Sequence, residues 1–253
     1  MTQHTVDINC DMGESYGAWT MGNDAAVMPL ITSANIACGF HGGDPATIRK
    51  TIALAVQAKV AVGAHPSLPD LVGFGRRTMH ITAQEMYDLV LYQAGAVAAF
   101  ARAAGVPLHH VKCHGALYNM ATTDEALSTA LARAVKDLGG HVLLYALAGS
   151  KMVAAARQLG LDVVQEVFAD RAYEDNGTLR PRGLAGAMIE DEAVAVERVI
   201  EMVQRGQVQS HGGKPIAVSA GTVCLHGDQP GALQFATTLR QACAQHGIAV
   251  AAP

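Results

Sequence analysis

Short apolar runs alternate with longer amphipathic stretches along the whole chain. Residues 5–12 alternate strictly, with Val6, Ile8 and Cys10 on one face and Asp7, Asn9 and Asp11 on the other. That period of two predicts a strand with one polar face, as in a barrel interior or an open cleft. Further strands are predicted over 31–39, 60–65, 109–117, 142–147, 162–168 and 216–220. The last of these extends through 222–225, and a short eighth run covers 248–251.

Helices fill the intervals. Asp44-Pro45 is an N-cap and first-turn pair opening a helix to about Ala58. Thr82-Ala83-Gln84-Glu85 is a capping box opening a long helix that Gly105 closes. Thr122 to Glu125 caps another, and Gly160 stops a short one. A helix over 191–205 ends at Gly206, and the last runs from about Pro230 to His246. Residues 13–17 read as a loop.

Strands alternating with helices over 253 residues predict an α/β protein. The expectation is one (β/α)-barrel domain over residues 1–253, with about seven parallel strands. A doubly wound open sheet is the competitor. No G-x-G-x-x-G follows the first strand, and polar residues gather at the ends of at least five strands, not at one switch point.

Composition narrows the function classes. Half of the residues are hydrophobic and 16% are charged. Such a chain buries its strands and is expected to share surface with a partner or a second copy of itself. A net charge of −4 and a pI near 6.2 leave no basic footprint for nucleic acid and no polybasic membrane patch. Met1 to His4 carries no charged and apolar leader pattern, and the apolar stretch 141–156 is interrupted by Gly149, Ser150 and Lys151. Five cysteines with no C-x-x-C pair read as reduced, buried thiols, so a cytoplasmic setting is expected.

The candidate chemistry sits at strand ends. Four apolar runs finish in a histidine followed by Gly or Pro: His41-Gly42, His65-Pro66, His114-Gly115 and His226-Gly227. With Asn9, Asp11, Lys112, Glu166, Asp170, Arg171 and Asp228 they form a polar set that a hydrophobic sheet carries at a cost unless the groups pair or bind a ligand. An inward Lys112 needs an anionic partner. Arg76 and Arg77 are either a solvated loop pair or a bidentate site for carboxylate or phosphate. Arg180 and Arg182 read as surface or interface residues. Asp11, His41 and His65 would make a one-carboxylate, two-histidine set for a divalent transition ion, although no local H-E-x-x-H spacing supports it. Neither a Walker phosphate loop nor a G-x-S-x-G elbow is present.

Several long motifs resemble the LamB/YcsF lactam-utilisation family. They are Asp7 to Glu14, Ala34 to Pro45, Gly63 to Ser67 with Gly73 to Arg77, His114 to Asn119, Glu166 to Tyr173, and His226-Gly227-Asp228. Cys113 departs from the pattern, standing where the family usually has proline. The resemblance implies an irregular barrel of the glycoside hydrolase/deacetylase type. It also implies a place in the bacterial ATP-dependent 5-oxoprolinase, which opens pyroglutamate to L-glutamate with subunits B and C, the partners handling most of the ATP. On that reading Asp11, His41, His65, His114 and His226 are the candidate acids and bases. Asn9, Arg76, Arg77, Lys112, Glu166, Asp170, Arg171 and Asp228 are the candidate substrate contacts. A stand-alone metal-dependent deacetylase or amidase, and a non-catalytic subunit that presents substrate, are the alternatives.

Overall fold

A computed structural model describes residues 4–226 and 231–253, with His226 described by its backbone alone. In chain order the elements are β1 (Thr5–Met12), α1 (Asp24–Val27), β2 (Ser33–Ala37), α2 (Pro45–Ala58), β3 (Ala61–His65), α3 (Ala83–Ala103) and β4 (His110–Val111). Next come α4 (Gly115–Thr123), α5 (Glu125–Asp137), β5 (Leu143–Leu147), α6 (Lys151–Gln158), β6 (Val163–Phe168) and α7 (Glu192–Arg205). The hairpin strands β7 (Gln207–Gln209) and β8 (Pro215–Ala217) precede β9 (Thr222–His226), α8 (Ala232–Gln245) and β10 (Ala249–Val250).

Strands β1 to β6 and then β9 pair in parallel, and β9 returns to β1, which closes a seven-stranded barrel. β10 adds to the start of β1. The predicted caps hold the helices in place. Asp44 accepts from the Thr47 amide at 2.8 Å, Asp191 accepts from the amides of Ala193 and Val194, and Thr82 and Glu85 form the full capping box.

The two faces of β1 part as its alternation requires. Val6, Ile8, Cys10 and Met12 join a core with Ile36, Ile52, Val97, Leu117 and Leu131. Each fully buried side chain of this size contributes about 1.5–3 kcal/mol. Asp7, Asn9 and Asp11 instead reach residues of β6, β9 and the segment after β4, so their face is the barrel interior. Polar groups fill that interior and satisfy one another. Thr32, Ser33 and Thr222 hydroxyls donate to the Asp7 carboxylate, while Asn35 donates to Asn9 at 2.7 Å and to Asp11 at 2.9 Å. Gly63 is required here, because a Cβ at that position would lie 2.1 Å from His110 Nε2.

Two strand predictions need correction. The fourth strand spans two residues, not nine. Gly115 adopts φ +54° immediately after His114, and the apolar residues that follow wind into α4, burying Ala116, Leu117, Tyr118 and Ala121. Short apolar runs fit strand and helix equally well. The predicted stretch 216–220 also lies outside the barrel: its first residues pair antiparallel with β7, and the barrel strand begins at Thr222.

Candidate active site

The C-terminal ends of the barrel strands carry the chemistry, as parallel barrels favour. His65 ends β3, His114 immediately precedes α4, and His41 stands in the loop after β2. Glu14 follows β1, and Phe74 and Arg76 belong to the long connection between β3 and α3. A cavity of about 660 Å³ opens over this end, lined among others by Asp11, His65, Arg76, Lys112, His114, Asn119, Arg171 and Arg182.

Backbone carbonyls fix both histidine tautomers. Carbonyl oxygens can only accept, so the ring nitrogen facing each one carries the proton. His65 Nδ1 donates to the Lys112 carbonyl at 2.7 Å, and His114 Nε2 donates to the Phe74 carbonyl at 2.8 Å. The two remaining nitrogens, His65 Nε2 and His114 Nδ1, face each other at 3.0 Å. Asp11 Oδ1 lies 3.3 Å from the first, and Glu14 Oε1 lies 3.6 Å from the second. The His41 ring stacks on His114 with centroids 3.8 Å apart and planes 5° apart, and its Nε2 sits 3.2 Å from Glu14 Oε1. Burial drives the His41 and His114 pKa values well below the ordinary imidazole range, so both rings are neutral at pH 7. Glu14, His41, His65 and His114 each place a ligating atom within 4.8 Å of the others, a set that could hold a metal ion.

Phe74 shows what this arrangement costs. It is one of two non-glycine residues among those described with positive φ, at +56°. A left-handed conformation costs an L-residue about 1–2 kcal/mol. The turn it makes delivers its carbonyl to His114 and sets its ring edge-on to both His41 and His114. Strain of this kind marks functional sites.

Lys112 anchors the other half of the site. Its ammonium lies 2.8 Å from Glu166 Oε1, 3.1 Å from Asp11 Oδ1 and 2.9 Å from Asn9 Oδ1. Burial opposes its charge, but the Asp11 and Glu166 carboxylates outweigh that and hold the pKa well above the ordinary lysine value. Tyr118 donates to Glu166 Oε2 at 2.7 Å, its own pKa pushed up by burial. The Cys224 thiol, also raised by burial, is neutral and accepts from Lys112 at 3.0 Å.

The structure thus brings Asp11, His41, His65, Lys112 and His114 together, with Asn9 and Glu166 supporting them from inside the barrel. Arg76 and Arg171 line the cavity, and burial with the nearby Arg182 lowers the Arg171 pKa to about 10. Arg182 lines the cavity too, where the sequence suggests a surface residue. Arg77 is engaged elsewhere. It forks the Asp70 carboxylate, dropping the Asp70 pKa to about 2, and does not line the cavity. Asp170 lines a neighbouring cavity of about 380 Å³. Asp228 and the His226 side chain lie outside the described residues.

Glu14 and Tyr118 lie within the Asp7–Glu14 and His114–Asn119 motifs, yet neither is among the candidate side chains named from the sequence. Glu14 sits in a glycine-rich loop with no period to give it away, and the signal was packing. A Cβ on Gly42 would come within 2.8 Å of the Glu14 carbonyl, so the two loops close on each other through glycine.

The family model described as the LamB/YcsF family matches residues 6–253. The 5-oxoprolinase A subunit of Bordetella parapertussis is 58% identical over 247 residues, covering 98% of both chains. A protein of the same name from Brevibacillus brevis is 52% identical over 248 residues, again covering 98% of both chains. The crystal structure of a lactam utilization protein from Thermus thermophilus is 47% identical and superposes with a TM-score of 0.92, covering 98% of this chain and all of that one.

Proposed function

The chain belongs to the LamB/YcsF family, and on that premise we propose that it is a 5-oxoprolinase subunit that hydrolyses the lactam of 5-oxo-L-proline to L-glutamate, coupled to ATP hydrolysis, together with partner subunits B and C in the cytoplasm. The relatives' shared name supports the reaction. The observation that carries the site is the convergence of Asp11, Lys112, His65 and His114 on one cavity rimmed by arginines.

A five-membered lactam is a stable amide, so water needs an activated carbon to attack. In this reading the partners supply that activation from ATP, since no phosphate-binding loop is present in this chain. Arg76, Arg171 and Arg182 give the cavity the charge to hold the substrate carboxylate or a transferred phosphate. Lys112, charged and water-excluded, stabilises the oxyanion that forms on the ring carbon. Asp11 takes a proton from the attacking water and passes it to the ring nitrogen as the C–N bond breaks, and a second water then releases the transferred phosphate from the opened chain. Such acid–base roles are worth about 10²–10⁴-fold.

The test is glutamate release from 5-oxoproline and ATP by the reconstituted complex. The wild type turns over only with its partners and ATP, and Asp11→Asn loses about 10²–10⁴-fold while its circular dichroism is unchanged. The buried Glu–His cluster favours a second reading, a metal-dependent amidase that needs no partner. Glutamate release by this chain alone, without ATP, would select it.

A further inference from the structure

We infer that Glu14, His65 and His114 form a binding site for one divalent transition-metal ion of the zinc class. The inference stands on geometry alone and does not depend on the lactam reading. Both histidines have their outer N–H committed to a backbone carbonyl, His65 to Lys112 and His114 to Phe74. In the neutral form of both rings the inner nitrogens present lone pairs to each other across 3.0 Å, with a carboxylate oxygen 3.6 Å from His114 Nδ1. Two lone pairs at that distance repel unless a cation or a proton lies between them. Ligand atoms about 2.0–2.1 Å from a tetrahedral ion lie roughly 3.3 Å from one another. The His65–His114 and His114–Glu14 separations bracket that value, and all the ligating atoms of the cluster lie within 4.8 Å of one another.

The surroundings have the form of a metal site's outer layer. A ligating imidazole normally donates its other N–H to a carbonyl or carboxylate, which sets its tautomer. The strained Phe74 carbonyl does this for His114. His41 serves the carboxylate. An ion lies close to the plane of each ring that binds it, and it cannot lie in the parallel planes of both stacked rings. His41 is therefore not a ligand. It donates from Nε2 to Glu14 and orients it, leaving its buried Nδ1 without a hydrogen-bond partner. Asp11, named with His41 and His65 on sequence grounds, lies 3.3 Å from His65 Nε2 but is held by Lys112 and Asn35. Two histidines, one carboxylate and a cavity-facing side suit zinc or cobalt.

The experiment uses the full chain, stripped with a chelator and dialysed, with neither 5-oxoproline nor ATP present. Isothermal titration with Zn²⁺ and Co²⁺ should give one site per chain, with visible absorption bands of four-coordinate Co²⁺ and a raised melting temperature on loading. His65→Gln and Glu14→Gln, folded by circular dichroism, should each weaken binding at least tenfold. Failure of the wild type to bind either ion saturably overturns the inference and leaves a proton shared between the histidines. Unchanged affinity in both folded variants overturns it as well. The wild-type titration and melting shift decide the matter even if a variant does not fold. A wild-type chain that binds neither ion yet supports ATP-coupled turnover with its partners would remove this inference while sparing the proposed function.

Discussion

Lys112 sets the electrostatic balance of the barrel mouth. Its charge is buried, and the Asp11 and Glu166 carboxylates on either side make that burial tolerable. Lys112→Met would leave two facing carboxylates with no cation, at a cost of about 3–5 kcal/mol. Urea unfolding at pH 7 should show that loss, and adding Glu166→Gln to the same chain should recover part of it. His110 offers a test of pH dependence away from the mouth. It is fully buried, donates from Nε2 to Asn35 at 2.8 Å, and burial lowers its pKa well below 6.5. The unfolded chain thus takes up the proton first. His110 stability is fully present above pH 6.5 and is lost as pH falls toward the lowered folded value, by up to about 1.4 kcal/mol per pH unit. His110→Gln, which keeps a donor toward Asn35, should flatten the fall in stability between pH 7 and pH 5 by up to about 2 kcal/mol, measured by denaturant unfolding at each pH.

Among the elements, β1 and β4 show what a sequence reveals and what it hides. β1 was legible in full, because strict alternation forces one face inward and Asp7, Asn9 and Asp11 are that face. His65 was legible because it ends an apolar run, and His41 and His114 because glycine follows each. β4 was not legible beyond its start. Two ladder residues give no period, and the helix after it is as apolar as a strand. Glu14, Phe74 and Tyr118 enter the site through loop closure and a helix turn, which local pattern does not encode. The close approach between β3 and β4 is the element-scale test. Gly63→Ala would drive a Cβ into the His110 ring, and crowding of this kind costs about 1–3 kcal/mol or more. Thermal melts should show a clear drop for Gly63→Ala. Thr82→Ala, which removes only the capping box of α3, should cost about 1 kcal/mol.

Taken whole, the molecule is a closed barrel whose interior is a hydrogen-bonded polar network instead of the usual apolar layers. That network joins the Asp7 end of the barrel to the mouth, so the catalytic candidates stand on a rigid, internally satisfied base. No described helix is long and apolar enough to cross a membrane. The fold class followed from strand–helix alternation, whereas closure at seven strands depended on pairing between β9 and β1, which are more than two hundred residues apart. The site is open to the cavity on one side. The most direct measurement is the rate of ATP-coupled glutamate release from 5-oxoproline by the reconstituted complex carrying Asp11→Asn, compared with wild type. A fall of about 10²–10⁴-fold in a folded, assembled variant is expected. Turnover within a few-fold of wild type would place the chemistry somewhere other than the mouth of this barrel.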